Sequence, residues 1–187
     1  TFTDQEKDKL KAGSTIKKPL HNSSKNGFYG GSGYTLIDAP VEAVWKAILD
    51  YPVYNKVFAA TSKVSELSKR GNKSLVHYEM GYKYLSLEYY LEVTRDVSNY
   101  TISFEMLNDK PHDLTSAKGY WKLFPQAGGR TLVAYVVSAQ VPMGIVNLMK
   151  DDWHSLVERN LIGAPNDLKI WLSSANGKKY FQNTAKN

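Results

Sequence analysis

The feature that most constrains this chain is a change of hydrophobic period at Pro142. From residue 61 to residue 140 the sequence alternates between strand patterns and turns, and beyond Pro142 it turns helical. Turn clusters fall at residues 69–72, 96–99, 108–111 and 126–130. They separate six strand segments, 63–68, 74–80, 83–95, 100–107, 113–124 and 131–140, at the spacing of an antiparallel meander. The third alternates most clearly. Leu85, Leu87, Tyr89, Leu91 and Val93 share one face, with Ser86, Glu88, Tyr90, Glu92 and Thr94 on the other. Successive strand side chains point to opposite sides, so such a sheet has one dry face and one wet face. After Pro142, Ile145, Met149, Trp153, Leu156, Val157 and Leu161 recur at helical spacing. Gly163 and Pro165 break or kink this helix, residues 168–172 continue it, and residues after Ser173 read as frayed.

The front of the chain supplies the remaining elements. Thr3 and Glu6 have the spacing of a capping box, which opens a short helix ending near Gly13. Residues 15–20 have room for one extra strand, stopped by Pro19, and residues 21–33 read as a loop running into a strand. Residues 33–38 form the first strand of the main sheet. Pro40 then suits the first turn of a helix, with Asp38 placed to cap it. Val41, Val44, Trp45, Ile48 and Leu49 mark that helix's apolar face; Pro52 ends it, and a second short helix covers residues 53–58. The expected fold is α+β, with a curved seven-stranded antiparallel sheet wrapped around a long C-terminal helix. A curved sheet and a straight helix do not match everywhere. The gap suits a small apolar molecule and has an expected volume of roughly 300–1,000 Å³.

Composition narrows the function classes. A chain of 187 residues with 42% hydrophobic and 22% charged residues is one globular domain. There is no Cys, so disulfides, thiolate metal sites and cysteine nucleophiles are excluded. The longest uncharged run, residues 131–149, contains Ser138, Gln140, Pro142, Gly144 and Asn147; it reads as strand plus helix, and the chain as a soluble monomer. The net charge of +6 is carried by the ends: residues 1–26 and 177–187 each contribute +3, and residues 27–176 are neutral. Three parts follow: an N-terminal extension at 1–26, a ligand-binding domain at 27–176 and a basic tail at 177–187. A nucleic-acid groove needs cations gathered on the folded body, so nucleic acid is not an expected partner. Solvated tails explain the basic ends, which would also favour transient contact with anionic membranes. The start at Thr1 fits processing or trimming, and is read as pointing to export.

The local sequence Tyr34-Thr-Leu-Ile-Asp-Ala-Pro-Val-Glu-Ala-Val-Trp-Lys-Ala-Ile-Leu-Asp-Tyr-Pro-Val-Tyr54 resembles a known pattern. A first strand, an Ala-Pro junction, a Val-Trp helix and an Asp-Tyr-x-x-Tyr step are similar to those of the START-related (SRPBCC) helix-grip superfamily. That superfamily includes lipid-transfer domains, plant allergens, polyketide aromatase/cyclases and coenzyme-Q-binding proteins. The resemblance covers about residues 28–175. It implies the helix-grip fold and an apolar ligand, without saying which, and a minority of the superfamily's members are catalytic.

Chemical motifs are sparse. The glycine-dense stretch at residues 27–33 lacks the Gly-Lys-Ser/Thr ending of a phosphate loop and leads into a strand, so it is read as a mobile loop. Of the histidines, His21 and His112 fall in loops, and His77 could face either side of its strand. Asp151, His154 and Glu158 share one side of the final helix, which a charged helix face explains more simply than a metal. No nucleophile elbow occurs, and no cofactor, metal or catalytic residue is assigned. The 13 Tyr, 6 Phe and 4 Trp are more informative, because buried phenols need partners and suit a guest with one polar group. The expected ligand-binding residues are Leu87, Tyr89, Leu91, Phe104, Met106, Trp121, Tyr135, Met149 and Trp153. The leading expectation is a carrier of a lipid, sterol or isoprenoid, with Gly144, Gly163 and Pro165 as hinges. Two alternatives stay open: an aromatase/cyclase-like enzyme using pocket tyrosines with His77 or Glu79, and a protein-interaction module.

Overall fold

The computed structural model describes residues 2–20, 27–82, 85–148, 159 and 161–182. The capping box forms as expected. The Thr3 hydroxyl accepts from the Glu6 amide, Glu6 accepts from the Thr3 amide, and helix α1 (Asp4–Lys11) follows. Strand β1 (Ile16–Pro19), the extra strand for which residues 15–20 had room, pairs antiparallel with β2 (Phe28–Ile37) and brings the seven strands of the main sheet to eight.

Helix α2 (Val41–Ile48) buries Val41, Ala43, Val44, Ala47 and Ile48. Each Val or Ile placed there contributes about 1.5–3 kcal/mol. Pro40 itself occupies the N-cap, so Asp38 stands too early to cap the helix. A 3₁₀ turn (Tyr51–Val53) and α3 (Tyr54–Val57) complete the pair of short helices. Strands β3 (Thr61–Arg70), β4 (Lys73–Tyr82), β5 (Leu85–Asp96), β6 (Thr101–Met106), β7 (Ser116–Gln126) and β8 (Arg130–Gln140) then run as a meander. The sheet order is β1-β2-β8-β7-β6-β5-β4-β3, antiparallel throughout.

The stretch expected to be a mobile loop is largely strand. Gly30 and Gly31 lie inside β2 with φ of +154° and +149°. A Cβ on either would stand 2.1 Å from the Val137 carbonyl oxygen or 2.3 Å from that of Lys18. These glycines let β2 bend tightly between its two neighbours.

The chain closes with α4 (Met143–Leu148), α5 (Ala164–Ser173) and a 3₁₀ segment (Ala175–Phe181). Gly163 is the N-cap of α5 and Pro165 lies in its first turn, so the expected break falls there. Residues 175–181, expected to be frayed, are ordered as that 3₁₀ segment. Tyr180 is buried, and its hydroxyl and Lys179 Nζ each donate to Asp50 at 2.6 Å, tying the 3₁₀ segment to the end of α2. No helix among the described residues is long and apolar enough to cross a membrane.

Candidate ligand cavity

Strand parity determines what faces inward. In β5, Leu87, Tyr89, Leu91 and Val93 are buried and line a cavity of about 150 Å³, while Glu88, Tyr90 and Glu92 point the other way. Phe104 of β6, Trp121 of β7 and Tyr135 of β8 join the same wall. Gly119, opposite Phe104, makes room for that ring, since a Cβ there would lie 2.6 Å from Phe104 Cζ. Helical pieces close the other side: Ile48, Tyr51, Tyr54 and Phe58 from the first pair, Leu161 and Ala164 at the start of the last.

Six of the nine expected residues therefore meet around one space: Leu87, Tyr89, Leu91, Phe104, Trp121 and Tyr135. Met106 is buried and pairs across the ladder with Leu91, but does not reach the cavity. Met149 and Trp153 lie outside the described residues, as does the Asp151, His154 and Glu158 set. The cavity is smaller than expected because rings fill much of it. Tyr54 packs edge-on against Tyr51, Phe58 and Tyr78, at centroid distances of 5.5, 4.8 and 6.1 Å. Tyr78 stacks on Tyr89 at 5.4 Å, and Trp121 lies 4.1 Å from Tyr135. The ring from Tyr51 to Phe58 was overlooked as lining, although the Asp50-Tyr-Pro-Val-Tyr54 step held the signal.

Among the described residues the wall is uncharged. Burial raises the phenol pKa values of Tyr54, Tyr78, Tyr89 and Tyr135 well above the ordinary range. Tyr51 is pushed up to about 12 by burial, with Arg95 pulling it down and Glu66 pushing it up. All stay neutral donors at physiological pH. The Tyr54 hydroxyl donates to the Ile48 carbonyl, and that of Tyr89 to Met80 Sδ at 3.3 Å. The Tyr51 hydroxyl has no partner among the described residues.

Beside Tyr51 lies a polar knot the sequence reading did not place. Arg95 continues the odd-numbered inward parity of β5, and its side chain is only 10% exposed. Its Nη2 donates to Glu66 Oε1 at 3.0 Å and also to the Ser74 hydroxyl, while Nε has no partner among the described residues. His77 and Glu79, the acid–base pair of the enzyme alternative, sit on the outer face. The His77 ring stacks on Tyr90 at 4.4 Å, with Nε2 3.4 Å from Glu88 and Nδ1 3.8 Å from Glu79. His112 Nδ1 donates to the Leu114 carbonyl at 2.7 Å. Among the described residues no cluster of His, Asp and Glu could hold a metal.

An antiparallel sheet curled against a C-terminal helix, with two short helices after the first long strand, is the helix-grip arrangement. The profile of the family described as polyketide cyclase / dehydrase and lipid transport matches residues 37–159, and the chain belongs to that family. Solved structures with the same fold include the Zhui aromatase/cyclase from Streptomyces sp. R1128, at 16% identity and TM-score 0.64, covering 80% of this chain and 98% of that one. A STAR-related lipid transfer protein from Xanthomonas axonopodis has 16% identity and TM-score 0.64, covering 86% and 93%. A START superfamily protein from Mycobacterium smegmatis has 14% identity and TM-score 0.55, covering 74% and 98%. A search of curated proteins finds no match.

Proposed function

We propose that this protein is a non-enzymatic carrier that holds a hydrophobic small molecule (a lipid, sterol or isoprenoid) between its sheet and its helices. Residues 27–176 form the binding unit, residues 1–26 and 177–187 are additions to it, and the chain works as a monomer. The observation that carries this reading is the neutral, ring-lined hollow, with His77 and Glu79 turned away from it. Burying apolar surface at about 25 cal/mol per Å² drives such binding without catalytic groups. A hollow of about 150 Å³ is too small for a lipid-sized guest, so its walls part on binding. The basic ends would support brief contact with an anionic membrane during exchange.

Denaturing extraction of the purified protein followed by mass spectrometry tests this directly. A co-purifying apolar molecule is expected, and its retention falls in Tyr89→Phe and Phe104→Ala. Unchanged retention in both variants removes these two residues from the site. One observation favours a second reading, an aromatase/cyclase-like enzyme: the Tyr51 hydroxyl and Arg95 Nε are both buried without partners among the described residues, and the Arg95 charge reaches Tyr51. They would orient a carbonyl, and turnover of a poly-ketone would displace the carrier reading.

A further inference from the structure

Residues 2–20 precede the family match at 37–159, and they do more than add an edge strand. On one side they are fixed to the sheet. Leu10 and Ile16 are buried, β1 pairs from Ile16↔Tyr34 to Pro19↔Gly31, and the Phe2 ring packs edge-on against Tyr34 at 5.0 Å. Lys18 Nζ bonds back to Glu6 at 2.9 Å, closing the segment on itself.

On the other side they hold α5. The Gly13 carbonyl accepts from Lys169 Nζ at 2.5 Å. Gly13 has φ of +87°, and a Cβ there would lie 3.1 Å from that Nζ, so the bend needs glycine. The Thr15 hydroxyl donates to Asn166 Oδ1 at 3.3 Å and shares a 2.8 Å hydrogen bond with the fully buried Thr35 hydroxyl of β2. One linker therefore bonds to the neighbouring strand β2 and to the last helix at once. The helix residues it grips, Asn166 and Lys169, follow directly on Leu161 and Ala164, which line the cavity.

We propose that residues 2–20 act as a latch on the helical wall of the cavity, setting how readily α5 lifts from the sheet and hence how fast a guest exchanges. The exchange consequence rests on the carrier reading; the control of helix opening does not. Local opening is governed by the few bonds that break in it, so loss of two hydrogen bonds of ordinary strength speeds opening about tenfold.

The test uses the full chain carrying Thr15→Val together with Lys169→Met, with Thr15→Ser as a control that keeps the hydroxyl. Hydrogen–deuterium exchange is followed over residues 161–173 and over β5–β8, and release of the fluorescent probe N-phenyl-1-naphthylamine is timed. The expected result is about tenfold faster exchange confined to 161–173, matching acceleration of probe release, and near-normal behaviour in Thr15→Ser. Unchanged exchange at 161–173, or an equal rise across the strands, overturns the latch. So does faster helix exchange with unchanged release of a bound probe. If the probe binds neither protein, the carrier reading falls, and the exchange pattern alone decides the latch.

Discussion

The two walls of the cavity are held by different means. The sheet wall is a continuous ladder. Strands β7 and β8 pair without a register shift from Ser116↔Gln140 to Gln126↔Arg130, and β2 continues the pairing along β8. On the helical wall, the described pieces are fastened largely by side chains. Asp50 grips Lys179 and Tyr180 at one end, and Thr15 and Gly13 grip Asn166 and Lys169 at the other. Where the walls meet, they touch backbone to backbone: a Cβ on Gly33 of β2 would fall 2.1 Å from the Ile162 carbonyl oxygen. A ladder opens only by breaking many bonds together, whereas a fastened helix opens by losing two or three. The difference assigns stability to one wall and movement to the other.

The sharpest test of that contrast is the largest. Leu91 is buried between Val76 and Met106 on the neighbouring strands and faces the cavity. Leu91→Ala should cost about 3 kcal/mol by urea unfolding, because a braced wall cannot collapse into the space left behind. A loss below about 1 kcal/mol would mean that the sheet yields as readily as the helices do.

The same division separates what could be read in the sequence from what could not. Positions 85–93 announced the sheet wall, since a period of two translates directly into facing, and no register shift interrupts β5 against β4 or β6. The same parity continues to Arg95, whose inward side chain is held by Glu66 and Ser74. In β3, by contrast, two register shifts occur, between Thr61 and Lys63 and between Glu66 and Ser68. Parity there would have misled. The helical wall was poorly legible for another reason. Thr15 meets Asn166 across 151 positions and Asp50 meets Tyr180 across 130, and such pairs leave no local pattern. The same lack of local signal made the stretch after Ser173 read as frayed when Tyr180 is buried.

A smaller effect is expected at the C-terminal fastening. Burial would raise the Asp50 carboxyl, but hydrogen bonds from Lys179 and Tyr180 outweigh it and hold its pKa below the ordinary value. Asp50→Asn keeps the shape and removes the charge. It should cost about 1 kcal/mol, less than a buried charged bond because Lys179 is half exposed. Its mark should be faster hydrogen exchange in residues 175–181, with the strands unchanged. Spread of the effect into β7 and β8 would show that the two walls unfold as one unit.

The smallest effect separates the two fastenings by their response to acid. Asp167, in the first turn of α5, is pushed up to about 6 by burial, with only Lys17 of β1 drawing it down. Its ordinary value is 3.8, so between about pH 4 and pH 6 the folded protein binds a proton that the unfolded chain has released. Stability from this group is complete below pH 4 and declines as pH rises to 6. Asp50 has the opposite sign: its contribution is present above its ordinary value of 3.8 and is lost as pH falls through its lowered folded value. At pH 5 part of the Asp167 contribution remains and the Asp50 end is near full strength; at pH 7 only the Asp50 end is. Hydrogen exchange of residues 164–173, corrected for the intrinsic pH dependence, should therefore be slower at pH 5 than at pH 7, and residues 175–181 should show no such change. Asp167→Asn should abolish the difference. If the difference survives in that variant, the pH response of the helical wall arises elsewhere, and the N-terminal fastening has no titrating partner.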